Sequence, residues 1–164
     1  MTSALPPCGI YKLTASVASI PAGRLVYFHN HGDPGPGLYL PETWQQNRVS
    51  WSERGSTVPA DFDPRVLHAL VAEGFYRVTK AFFCCEKQCT KFEADAFVQL
   101  GYNGNATPLV FVPQLGPGGI SIPDRGSVVD ESALRNLQLL QVASGAASEK
   151  PDINISIPRG FVVH

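Results

Sequence analysis

Fifteen glycines and fourteen prolines are scattered through the 164 residues, and they recur between apolar runs only a few residues long. Proline locks φ and removes a backbone donor, and glycine weakens a helix interior by about 1 kcal/mol relative to alanine. This punctuation suits many short strands joined by tight turns better than long helices. The expected fold is mainly β (α+β): a single domain over 1–164, built as a compact antiparallel β-barrel or sandwich with two short helices, at about 64–73 and 131–142.

Along the chain, Tyr11, Leu13, Ala15 and Val17 alternate with polar residues as a half-buried strand does. Arg24–His31 and Gly37–Leu40 read as a strand pair around a glycine-proline turn. The stretch 42–60 is irregular, with Trp44 and Trp51 as anchors. Asp63-Pro64 is a helix start and Gly74 a stop, with Val66, Leu67, Leu70 and Val71 on one face. Phe75–Phe83 and Lys91–Leu100 read as strands of a hairpin tipped by Cys84, Cys85 and Cys89. Pro108–Pro113 is a further strand, and Gln114–Ser127 a connector. Asp130 caps the second helix, which carries Leu134, Leu137 and Leu140. Residues 143–150 read as a mobile loop, and Ile153, Ile155 and Ile157 as a final strand. No internal repeat is visible.

Thirteen basic residues against fourteen acidic ones give a formal net charge of −1, which lacks the cationic footprint of a nucleic-acid binder. No apolar run is long enough to insert into a membrane as a helix, and the first residues lack a signal-peptide pattern. A cytoplasmic location follows as an expectation, and with it cysteines that are thiols or ligands rather than disulfides. Only 16% of residues are charged, so apolar surface is left for a protein partner or a homo-oligomer.

Three groups of residues can carry chemistry. His29 and His31 lie at i, i+2 on a strand, a spacing that points both imidazoles to one face and lets both reach one ion. Gly23, five residues, and then His29-Asn30-His31 resembles the opening of the first cupin motif, where a strand-borne His-x-His helps hold a metal. The resemblance implies a metal-dependent enzyme using His29 and His31. The pattern departs where the cupin glutamate belongs, since Gly35 and Pro36 stand there, and no third histidine motif follows. Next, Cys85 and Cys89 have a spacing that zinc sites use. With Cys84 the hairpin supplies three ligands at most, and Cys8 or a distant histidine would have to complete the set. Neighbouring cysteines on a strand point apart, so Cys84 and Cys85 share an ion only if the tip is irregular. Lys80, Lys87 and Lys91 nearby favour thiolate. Finally, Glu93/Asp95 and Asp61/Asp63 are carboxylate pairs with plain structural explanations, a solvated strand face and a helix cap.

The reading that follows is a non-catalytic protein-binding or assembly module whose binding surface is His29, His31, Asp33 and Tyr39, with Tyr39 and Tyr102 as exposed aromatics. No cofactor is required by it. The metal alternatives place zinc on His29 and His31, or on Cys84, Cys85 and Cys89 in a zinc- or thiol-dependent regulator.

Overall fold

The structure, a computed structural model, describes residues 4–143. Its elements in chain order are β1 (Gly9–Leu13), β2 (Leu25–His29), β3 (Gly37–Tyr39), β4 (Pro41–Gln45), β5 (Arg48–Trp51), β6 (Ser56–Thr57), a 3-10 turn (Pro64–Val66) and β7 (Leu67–Ala69). They continue with β8 (Gly74–Val78), β9 (Phe82–Phe83), β10 (Lys91–Phe92), β11 (Phe97–Tyr102), β12 (Pro108–Phe111), β13 (Gln114–Gly116), β14 (Gly119–Ser121), β15 (Ser127–Val128), a 3-10 segment (Glu131–Asn136) and β16 (Leu137–Leu139). The mainly-β class and the antiparallel pairing agree with the sequence. The barrel does not form. Both five-stranded sheets are open, in the orders β6-β3-β2-β1-β7 and β15-β12-β11-β8-β16.

Those two orders are the same order. β1 matches β8, β2 matches β11, β3 matches β12, β6 matches β15 and β7 matches β16, and each half carries one two-stranded hairpin between its third and fourth sheet strands. Aligned by register, Gly9-Ile-Tyr-Lys-Leu-Thr14 corresponds to Gly74-Phe-Tyr-Arg-Val-Thr79. The hydrogen bonds repeat too. Tyr11 Oη donates to Pro7 O at 2.7 Å, and Tyr76 Oη to Ala72 O at 2.6 Å. Thr14 and Thr79 each donate both N–H and hydroxyl to the last residue of the 3-10 turn, Val66 and Asn136. Gly55 and Gly126 sit under the rings of Tyr39 and Phe111, where a Cβ would come within 2.8 and 2.9 Å of ring carbons. An internal repeat is therefore present where the sequence shows none by inspection.

Neither helix survives as expected. Asp63 accepts from Arg65 N–H and Pro64 takes the first position, so the cap signals are real, but the turn ends at Val66. Leu67 and Ala69 then pair with β1, which meets their backbone groups without a helix. The second expected helix is the 3-10 segment Glu131–Asn136 followed by strand β16, with Leu134 buried. Two predicted strands are broken as well: Phe75–Phe83 divides at Thr79–Ala81, and Lys91–Leu100 divides at Glu93–Ala96, where Asp95 takes φ +68°. The region thought irregular holds hairpin β4–β5, and the expected connector holds hairpin β13–β14. The loop expected over 143–150 lies, from 144 onward, outside the described residues, as does the Ile153–Ile157 strand.

Each half buries its own apolar set. Tyr11, Leu13, Val26, Phe28, Leu38 and Leu67 form one core. Tyr76, Val78, Val98, Leu100, Tyr102 and Val110 form the other, and Leu25 from the first sheet is buried among them. Hairpin β4–β5 ties the halves together. Gln46 and Asn47 at its tip take φ +50° and +65°, the conformation of tight hairpin turns. Asn47 Nδ2 donates to Gln99 Oε1 and Pro123 O, Gln99 Nε2 donates to Gln46 O, and Trp44 Nε1 donates to Tyr102 O. Gln99, 1% exposed, is thereby fully paired. A buried amide with every group satisfied fixes one seat for the hairpin.

Candidate metal centre

β1 and β2 pair with Gly9 opposite Phe28, so the next step along the ladder sets Cys8 opposite His29. Residues directly opposite on antiparallel strands project to the same face. Cys8 Sγ lies 3.4 Å from His29 Nδ1 and 3.7 Å from His31 Nδ1. The two imidazole rings, as their i, i+2 spacing predicts, stand together with centroids 4.0 Å apart. Zinc–sulfur and zinc–nitrogen bonds of about 2.3 and 2.1 Å at a tetrahedral angle set sulfur and nitrogen roughly 3.6 Å apart. The two observed separations straddle that value.

Asn30, between the histidines, orders the group. Its Nδ2 donates to Pro6 O at 3.0 Å, and its Oδ1 accepts from Cys8 Sγ at 3.2 Å and from His31 Nδ1 at 2.8 Å, so an ion held by those two atoms would take the place of both protons. Its backbone N–H donates to Cys8 Sγ at 3.3 Å. Cys8 and His29 are half-buried and His31 is exposed, so the set opens to solvent on the His31 side. Three donors leave a fourth position for water or for another molecule's donor.

Of the remaining surface named from sequence, Asp33 is exposed in the turn after His31 and Tyr39 is half-buried, its ring edge-on to His29 at 6.5 Å. Tyr102 is not an exposed aromatic: it is 1% exposed and donates its hydroxyl to Val71 O. Phe28 and Tyr27 point apart, Phe28 into the core and Tyr27 onto Trp51 at 5.7 Å between ring centroids. The carboxylate pairs behave plainly. Glu93 meets Lys91, Asp95 meets Arg77, and Asp63 meets Arg65, whose guanidinium and backbone N–H hold its carboxyl below the usual range. Asp61 is exposed. A cleft of about 260 Å³ beside Trp44, Tyr102, Leu109 and Phe111 contains none of the ligating side chains.

Cys84, Cys85 and Cys89 form a second group whose sulfurs lie within 4.8 Å of one another. Cys8 is not part of it. No family model, curated protein or solved structure matches this chain. The assignment of function therefore rests on the chemistry of these residues. The sequence offers Cys8 or a distant histidine as what would complete the Cys84–Cys89 set, and it does not bring Cys8 to His29, because that depends on the strand register. Two successive strands, paired as a hairpin across the 14–24 connection, were the signal that could have found it.

Proposed function

We propose that this chain is a metal-binding β module in which Cys8, His29 and His31 hold a zinc-class divalent cation with one coordination position open. The observation that carries the reading is the convergence of one sulfur and two ring nitrogens at separations suited to a tetrahedral ion. A mixed nitrogen and sulfur donor set suits borderline metals such as zinc better than magnesium or calcium, which take oxygen ligands. Asn30 Oδ1 holds the Cys8 thiol and His31 Nδ1 side by side in the metal-free chain, and the ion would displace both of those hydrogen bonds. The module acts by binding rather than by turnover: the open position takes a donor from a partner protein, and His29, His31, Asp33 and Tyr39 are the surface that partner meets.

The test is zinc uptake by the reduced full chain carrying Cys89→Ser, a background that disables the other thiol group. One zinc per chain is expected, lost on adding Cys8→Ser or His31→Ala while the far-UV circular dichroism stays that of the parent. Cobalt in place of zinc should show a sulfur-to-metal absorption band that Cys8→Ser removes. Stoichiometric zinc retained by the Cys8→Ser and His31→Ala chains overturns the reading.

A second observation favours protein recognition at another place. Hairpin β13–β14 exposes Leu115 at 84% and Ile120 at 66%, an apolar tip of the kind that partners cover. Substituting both by Ser tests it, through loss of self-association or of a partner with zinc uptake unchanged.

A further inference from the structure

The loop between β9 and β10 is built around its sulfurs. Phe82 and Phe92, paired across the hairpin and stacked at 5.0 Å, anchor its base in the core. Cys84 N–H closes the ladder on Thr90 O. The chain then turns sharply, Gln88 N–H donating to Cys85 O with Gln88 at φ +54°. This irregular tip cancels the alternation that would point Cys84 and Cys85 apart, and their sulfurs lie 3.6 Å from each other. Cys89 comes back over both.

We propose that Cys84, Cys85 and Cys89 are a three-thiolate site for a trivalent thiophilic ion of the arsenite class. Among the described residues no histidine or carboxylate joins the three sulfurs, and an all-sulfur set of three matches the three bonds of a trivalent thiophilic ion, whereas the Cys8 group mixes sulfur with nitrogen. Charge points the same way. Three thiolates neutralise a trivalent ion, while a divalent one would leave a net negative group against buried Cys84, and unpaired charge in a buried place is costly.

Thr90 N–H donates to Cys84 Sγ at 3.3 Å and seats that sulfur in the tip. Binding moves no electrons: three As–O bonds of As(OH)₃ break, three As–S bonds form, and the thiol protons leave with the hydroxides as three waters.

The test uses the full chain, reduced with a phosphine and exposed to sodium arsenite, read by intact mass and by ultraviolet sulfur-to-arsenic absorption. One arsenic per chain is expected, with the mass rising by one arsenic less three hydrogens. Cys85→Ser and Cys89→Ser should both lose it. Cys89 is exposed, so its substitution leaves the fold in place. Cys8→Ser should keep it, which separates this site from the one at His29. Absence of uptake by the parent chain, or the same increment surviving in Cys89→Ser, overturns the proposal. So does a stoichiometric zinc that arsenite cannot displace, present in Cys8→Ser and missing from Cys89→Ser.

Discussion

In the second half of the molecule Glu73 precedes β8 and faces Gly101 near the end of β11; in the first half Cys8 precedes β1 and faces His29 at the end of β2. These are the same two stations of one repeated layout, filled in opposite ways. At Gly101 the missing side chain admits Asn47 O, which a Cβ would meet at 2.7 Å, and Glu73 accepts Val49 N–H from the same hairpin. At His29 the side chain is present, and a cysteine stands where the hairpin's acceptor would be. One station is closed by the protein's own β4–β5 hairpin. The other gathers a sulfur and ring nitrogens that are half-buried and open to solvent on the His31 side. One backbone frame thus carries a glycine packed under the hairpin at Gly101 and, at His29, an imidazole beside a cysteine.

The largest effect bears on whether the two halves are one structure. Phe28 and Leu100 occupy equivalent register positions and are both fully buried. Phe28→Ala should cost about 3–5 kcal/mol and Leu100→Ala about 2–5. Each should lower a single unfolding transition, because Leu25 and the β4–β5 hairpin join the cores. Urea titrations followed by tryptophan fluorescence and by circular dichroism check this, since both tryptophans lie in that hairpin. Fluorescence and dichroism midpoints that separate in either variant would mean the halves melt independently.

The class of fold was legible because glycine, proline and alternation are local signals. Asp63-Pro64 also read correctly as a cap, but a cap specifies one turn and not the length beyond it. Leu67 and Leu70 keep a helical spacing while the strand partner β1, far away in sequence, wins their backbone. The repeat escaped notice for a related reason. Partners are 65 residues apart at Gly9 and Gly74 but 72 apart at Tyr27 and Gln99, because the Cys84–Cys89 loop lengthens the second half. The two-histidine face was readable from spacing alone. Its third donor was not, since Cys8 arrives through pairing between strands.

Exchanging the two residues sharpens the comparison. Gly101→His forces a side chain against Asn47 O, a backbone atom of a pinned turn, and overpacking of this kind costs about 1–3 kcal/mol. The Trp44 bond to Tyr102 O should loosen with it, seen as a shift of tryptophan emission at native conditions. The reverse change, His29→Gly at the last residue of β2, should cost only about 0.5–1 kcal/mol while removing one donor of the proposed metal site, since His29 is only half-buried. A stable Gly101→His chain with unshifted emission would show that the glycine is not what seats the hairpin.

The smallest effect is electrostatic and belongs to the packed station alone. Burial pushes the Glu73 carboxyl above its usual 4.5, while the Val49 N–H and Arg48 pull it partly back. The folded chain thus holds this proton to a higher pH than the unfolded chain does. Its contribution to stability is fully present below about 4.5, declines as pH rises through the raised value, and is level above it. Glu73→Gln keeps an oxygen for Val49 N–H and removes the titration. The difference in melting temperature between variant and parent should therefore shift in favour of glutamine as pH goes from 4 to 7, by a few degrees at most. Taking the difference removes the opposite slope of Asp63, whose lowered carboxyl is shared by both chains. A difference that stays flat, or moves in favour of glutamate, would mean the carboxylate is better solvated at the hairpin than its burial implies. The two stations would then differ in their side chains and not in how they exclude water.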